Sequence, residues 1–215
     1  LPASKIAVVG SVNMDLLTTT ERLPGPGETI LGTKFSTIPG GKGANQAIAA
    51  ARAGGDVTFI GSVGSDTFAL ELRRALAEAD VDARYLREVD GPSGIATITV
   101  DAGGQNSIVV VPGANSTVVD LTPPELAVVA GADVLLCQLE IPLGTVVAAA
   151  AHGAANDTMV ILNPSPAQPL PGACWRRWMY SSSTRPNMRS WGRRRVRRPP
   201  RRDHARRLRR RLRGL

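Results

Sequence analysis

Short apolar runs and helical stripes alternate along most of the chain. Ile6 to Val9 is an apolar, β-branched run that stops at Gly10, which predicts a buried parallel strand handing a loop to its carboxyl end. "GGKGANQAIAAARAGG" (40–55) opens on glycines, becomes Ala-rich, and stops at Gly54-Gly55, the signature of a helix with a glycine C-terminal stop. It carries no charge from Gly43 to Ala51, so the helix is expected to be buried on most of its faces. "VTFIGSVG" (57–64) reads as a second buried strand. In 65–81, Phe68, Leu72, Ala75, Leu76 and Ala79 recur at helical spacing behind Ser65 or Asp66 as cap.

Further on, 94–115 reads as two strands around an Asp-Ala-Gly-Gly turn. A short helix (123–132), a strand (133–140), a helix (143–156) and a strand running into a Pro-rich loop (158–167) complete the pattern. Strands alternating with helices, interrupted by β segments near 16–38 and 94–111, predict an α/β doubly wound, mostly parallel sheet with a small β lid. Open sheets of this kind bind ligands beyond the carboxyl ends of their strands. The loops of interest are therefore Gly10–Asp15, Pro39–Asn45 and Glu140–Pro142.

Charge divides the chain in two. Residues 1–172 hold nine Lys and Arg against seventeen Asp and Glu, a net −8. Residues 173–215 hold seventeen Arg against the single acid Asp203, a net +16. The whole-chain +8 thus describes neither part. The first part is the candidate domain, and the second is an Arg-rich tail expected to lack a packed core. Read as a functional arm, the tail would bind nucleic acid by neutralising phosphates; that reading ranks below the one developed next. No leader and no long apolar run is evident, so a soluble, cytoplasmic protein is expected, with no membrane partner. Cys137 and Cys174 lack metal-ligand spacing, and His152 and His204 stand alone. No metal ligand is assigned, and Cys137 is read as a small core residue.

The chemistry lies in the three loops. Asn13 and Asp15 place an amide and a carboxylate two residues apart, a pair able to bind vicinal hydroxyls or merely to cap a turn. "PGGKGANQ" can bring backbone close to a ligand at a helix N-terminus with free N–H donors, with Lys42 and Asn45 adding side-chain donors. Its spacing is neither a Walker loop nor GxGxxG. Glu140 ends an apolar strand, either solvated or aimed at a ligand. A polyol ligand suits this polar set, which lacks aromatics, His and Cys.

"GSVNMDL", "LPGPGET", "PGGKGANQAIAAARAG", "SGIATITVD", "PGAN", "QLEIPL" and "NPSPA" occur in this order over about residues 5–172. Together they resemble the ribokinase family of PfkB-type carbohydrate kinases. The resemblance implies a ribokinase-like fold and transfer of the ATP γ-phosphoryl group to the 5-hydroxyl of ribose or of a similar sugar. It implies Mg²⁺, an activating monovalent cation (K⁺), and a homodimer formed through the lid. It further implies that Asn13, Met14, Asp15, Gly41, Lys42, Gly43, Ala44, Asn45 and Glu140 surround the sugar, with Ile98 on the lid above it. The family's DTxGAGD-like run, which carries its catalytic Asp, is not in this sequence. The fold is therefore expected to be truncated, no catalytic residue is assigned, and a non-catalytic sugar-binding fragment is the alternative.

The tail also reads as out-of-frame text. Reread from each codon's third base, with AGR codons at Arg185 and Arg189, Cys174 to Gly192 permits "LLAAVDVLVVNEAEHEVVG", in which the Trp178-Met179 pair forces the Asp and Met188 then gives a Glu. That string resembles the family's next strand and Asn-Glu-x-Glu loop. Arginine CGN codons shifted by one base give NCG, so an Ala-rich helix becomes an Arg-rich tail. A frame shift near residue 172 is the expectation.

Overall fold

The computed structural model describes residues 2–170 and the backbone of 179–180. The remaining tail, Cys174 included, lies outside the described residues. The central sheet contains β1 (Lys5–Val9), β4 (Asp56–Gly64), β5 (Asp82–Val89), β8 (Val134–Cys137), β9 (Met159–Leu162) and β10 (Met179–Tyr180), in the order β10-β9-β8-β1-β4-β5. Every neighbouring pair is parallel. A second sheet, order β3-β2-β6-β7, is built from β2 (Asn13–Thr20), β3 (Gly32–Gly40), β6 (Gly94–Val100) and β7 (Asn106–Val111). In it β2 runs antiparallel to β3 and parallel to β6, and β7 runs antiparallel to β6.

The central sheet is covered on both faces because its strands are apolar on both. Along β1, Val8 joins Val57, Phe59, Ala47 and Leu72 on the face of α1 (Lys42–Arg52) and α2 (Phe68–Ala77). Ala7 and Val9 join Ile60, Leu135, Val129 and Val146 on the face of α3 (Pro123–Gly131) and α4 (Leu143–Ala155). Successive side chains of a strand point to opposite faces, so one apolar run feeds two cores. Cys137 is fully buried in the second. The doubly wound α/β architecture with a small β lid is thus present.

Two readings need correction, and one strand, β5, was not read from the sequence. α1 buries only Gly43, Ala44 and Ala47 fully, while Asn45, Ala49 and Arg52 are exposed; alanine is small enough to be tolerated at a wet face, so an uncharged run does not report burial. β5 carries no clear apolar alternation, because four of its eight residues are charged, and only Leu86 is fully buried; its place at the sheet edge permits this. Lastly, Asn13 and Asp15 do not sit in a loop but begin β2, the strand that carries the chain into the lid.

Asp66 secures α2 from just outside it. Its carboxylate accepts from Phe68 N, Ala69 N, Ser93 N and Ser93 Oγ at 2.7–3.2 Å. These bonds hold the Asp66 carboxyl below the usual range against the opposing effect of desolvation. They tie the end of β4 to the segment entering β6. Among the described residues, no helix is long and apolar enough to cross a membrane.

Candidate functional site

The end of β1, the start of β2, the start of α1 and Glu140, three residues past β8, meet at one point. Close approach of glycine backbone makes this possible. Gly41 has φ 89°, and a Cβ on it would lie 2.7 Å from Asn13 N. A Cβ on Gly43 would lie 2.6 Å from both N and O of Ser11. The "GGKG" turn is therefore pressed against the backbone of Gly10–Asn13, which only glycine permits.

The first turn of α1 does not offer the free donors expected of it. Lys42 N donates to Glu140 Oε2 (3.0 Å), Gly43 N to Ser11 Oγ (3.3 Å), and Ala44 N to Ser11 O (2.9 Å). Only the Gly41 N–H in this turn lacks a described partner. Glu140 also accepts from Ser11 Oγ (2.6 Å) and pairs with Lys42 Nζ (2.8 Å). Its side chain is 6% exposed against 36% for Lys42. A carboxylate at a helix N-terminus is favoured by the helix dipole as well as by these bonds. Glu140 is thus neither solvated nor idle; it caps α1 and holds Lys42. Ser11, fully buried between them, was not singled out from sequence, where a serine after glycine is an ordinary turn residue.

Asn13 and Asp15 share one face of β2, as residues two apart on a strand must. Met14, between them, points the other way into the core with Phe59 and Leu72, fully buried. Ala44 is likewise buried in that core. These two therefore shape the site from behind and present no side chain to it. Asp15 lies against Gly40, where a Cβ would come within 2.5 Å of its Oδ2. Its carboxylate accepts no hydrogen bond from a described residue. Burial, then the charge of Glu140, push its carboxyl up from the ordinary value, opposed by Lys42. Asn45 is exposed at the same helix start. Ile98 is half-buried on β6, paired with Leu17 and Ile108 within the lid sheet.

The raised Asp15 carboxyl has a stability consequence. The folded state holds this proton more tightly than the unfolded chain. Its contribution is therefore fully present below the ordinary Asp range and lost as pH rises through the raised value. Asp15→Asn is expected to melt higher than the parent at neutral pH, with the gap closing toward pH 4, as read by thermal denaturation across that range. An unchanged or lower midpoint at pH 7 would contradict this.

Together the site offers an open carboxylate, an open amide donor, an exposed amide, one spare backbone N–H and a Lys–Glu pair. Chemically, such a set is able to engage neighbouring hydroxyls through donors and acceptors at once. Among the described residues, no three His, Cys, Asp or Glu side chains converge as a metal-ligand set. A separate open cleft of about 440 Å³ lies between α2 and the end of β3, lined by Pro39, Leu70, Glu71 and Arg74 among others. It contains none of these groups.

The profile of "pfkB family carbohydrate kinase" matches residues 3–187. The chain belongs to the pfkB family of carbohydrate kinases. The ribokinase of Bacillus subtilis is 45% identical over 170 residues, which cover 77% of this chain and 57% of that protein. The deoxyribokinase of Salmonella typhi is 38% identical over 167 residues, 75% of this chain and 54% of that protein. The structure of Arabidopsis thaliana ribokinase complexed with ribose and ATP superposes with a TM-score of 0.76 at 33% identity, covering 84% of this chain and 60% of that one. The chain thus spans somewhat over half the length of the pfkB relatives it matches.

Proposed function

We propose that residues 1–172 are the sugar-binding part of a ribokinase-type kinase, and that the sugar sits against Asn13, Asp15, Gly41, Lys42, Gly43, Asn45 and Glu140 beneath the lid residue Ile98. The observation that carries this reading is the open Asn13–Asp15 pair on β2, facing the Lys42–Glu140 pair in a pfkB fold. Asp15 accepts from sugar hydroxyls and Asn13 donates to one, while Glu140 and Lys42 hold the opposite side. In the complete protein, the reaction is transfer of the ATP γ-phosphoryl group to the 5-hydroxyl of ribose, with Mg²⁺ and K⁺ as cofactors. Positioning of the hydroxyl is the share of catalysis this half supplies.

We place no nucleotide or Mg²⁺ site among the described residues. The N–H groups that open α1, the obvious cradle for a phosphate, are taken by Glu140 and Ser11, and a carboxylate there repels an anion. Neither those groups nor K⁺ can be assigned residues among those described. Accordingly, the 215-residue chain is proposed to bind sugar without turning it over. The Arg-rich 173–215 is proposed to be out-of-frame text rather than a nucleic-acid arm, which DNA sequencing across codon 172 decides.

A homodimer through the lid is part of this proposal. The lid's two edge strands leave apolar side chains exposed, Phe35 and Ile38 on β3 and Ile108 to Val111 on β7, surface that a second lid would cover.

Titration calorimetry of the chain with D-ribose, without ATP, tests the reading. Saturable ribose binding is expected, together with no ATP-dependent ribose phosphorylation. Lack of ribose binding would sink the sugar site, and measurable turnover would sink the non-catalytic assignment.

A further inference from the structure

Asn115 lies in the one-turn 3-10 helix Gly113–Thr117 that brings the chain back from the lid, and it is 1% exposed. Its side chain makes three hydrogen bonds, all to residues more than a hundred positions earlier. Asn115 Oδ1 accepts from Val12 N (3.0 Å), and Asn115 Nδ2 donates to Val12 O (3.0 Å) and to Asn13 Oδ1 (2.7 Å).

An amide's two ends look alike, so their assignment must come from their partners. Here the partners decide it. A backbone N–H only donates and a backbone carbonyl only accepts. Val12 therefore fixes which end of Asn115 is oxygen and which is nitrogen. The nitrogen so fixed is the atom that meets Asn13, and what faces a donor must be the Asn13 oxygen. The Asn13 NH₂ is then the end left over, and it bonds to no described residue. Gly94 makes room for this: a Cβ there would lie 2.2 Å from Asn115 Nδ2 and 2.3 Å from Asn13 Oδ1. Gly94 is also the residue paired with Asn13 between β2 and β6.

We infer that Asn115 is a positioning residue that holds Asn13 with its NH₂ toward the sugar site. β2 then presents a fixed donor at position 13 and an acceptor at position 15. This pair is selective for a ligand whose one hydroxyl accepts and whose neighbour donates. The inference rests on the sugar-site reading above, though the orientation of Asn13 is testable apart from it.

Asn115→Asp keeps the size and the acceptor for Val12 N but removes the donor. Two carbonyl oxygens then face a carboxylate, and the Asn13 amide must rotate to donate to it. In ¹⁵N-labelled protein, the Asn13 side-chain NH₂ resonances, assigned by their loss in Asn13→Ala, should shift in Asn115→Asp. Ribose affinity should fall about tenfold, the scale of one hydrogen bond with its donor misdirected. In the Asn13→Ala background, Asn115→Asp should cost no further affinity, because it acts only through Asn13. Asn115→Ala, which removes the donor without adding charge, carries the same test if Asn115→Asp does not fold.

Unmoved Asn13 NH₂ resonances overturn the inference. So does an affinity loss that is as large without the Asn13 side chain as with it. If the parent chain binds no ribose, the sugar-site reading fails, and the resonances alone then decide whether Asn115 orients Asn13.

Discussion

Glu140→Ala is expected to lower ribose affinity by about 100-fold, or ~2.7 kcal/mol, and to loosen the start of α1. The carboxylate is nearly inaccessible and serves three donors: Ser11 Oγ, Lys42 N and Lys42 Nζ. Removing it leaves two of these buried without a partner, at about 1–3 kcal/mol for each. It also frees Lys42, a third exposed, to swing into water. The loss is therefore larger than that of a contact: the side chain proposed to face the sugar also holds Ser11 and Lys42 in place. Glu140→Gln should fall between the parent and the alanine variant, since it keeps the shape and one acceptor. Both variants should lower the Asp15 carboxyl, because the Glu140 charge is the second cause of its rise. Calorimetry with ribose and urea denaturation measure the two effects. An alanine variant that binds ribose within about threefold of the parent, roughly 0.7 kcal/mol, would remove Glu140 from the site.

Gly43→Ala should be the most destabilising of the single-methyl additions considered, by about 3 kcal/mol. The new carbon would overlap the N and O of Ser11 at 2.6 Å and the carbonyl carbon of Gly10 at 2.8 Å. None of these is a side-chain end that can turn aside. Ser11 sits between β1 and β2, and its carbonyl accepts from Ala44 N. α1 would have to lift off, breaking the Lys42 N to Glu140 bond as it went. Gly144→Ala in α4 is the matched control. Nothing lies within 4 Å of a Cβ there, and alanine favours a helix over glycine by up to about 1 kcal/mol. Urea midpoints should move in opposite directions for the two variants. A Gly43→Ala midpoint equal to the parent's would mean that the close approach is not a constraint.

Much of the architecture was legible because burial on two faces writes long apolar runs. β1 and β4 are such strands, each read close to its observed span, whereas the strand read over 133–140 is only Val134–Cys137, leaving Glu140 beyond its end, and β9 is Met159–Leu162 within the stretch read as 158–167. β5 was not read, since an edge strand with charges along it carries no periodic signal. The three loops were rightly expected to converge, because open α/β sheets place their ligands beyond the carboxyl ends of strands. What each residue does there was less legible. Glu140 looked like either a solvated or a ligand-facing carboxylate and is first a cap for α1. Met14 and Ala44 travelled with the motif but belong to the core.

By itself, the chain's pattern of apolar runs, glycines and ordered motifs determined the α/β class, the position of the lid segments and the membership of a kinase family. Those are properties of local periodicity and of residue order. Only the tertiary structure decided which donors remain open. The N–H groups of α1 proved to be occupied, the carboxylate of Asp15 proved to be free, and the amide of Asn13 proved to be turned by Asn115 from a hundred residues away. A hydrogen-bonding group's availability depends on what else reaches it in space, and spacing along the chain carries no record of that.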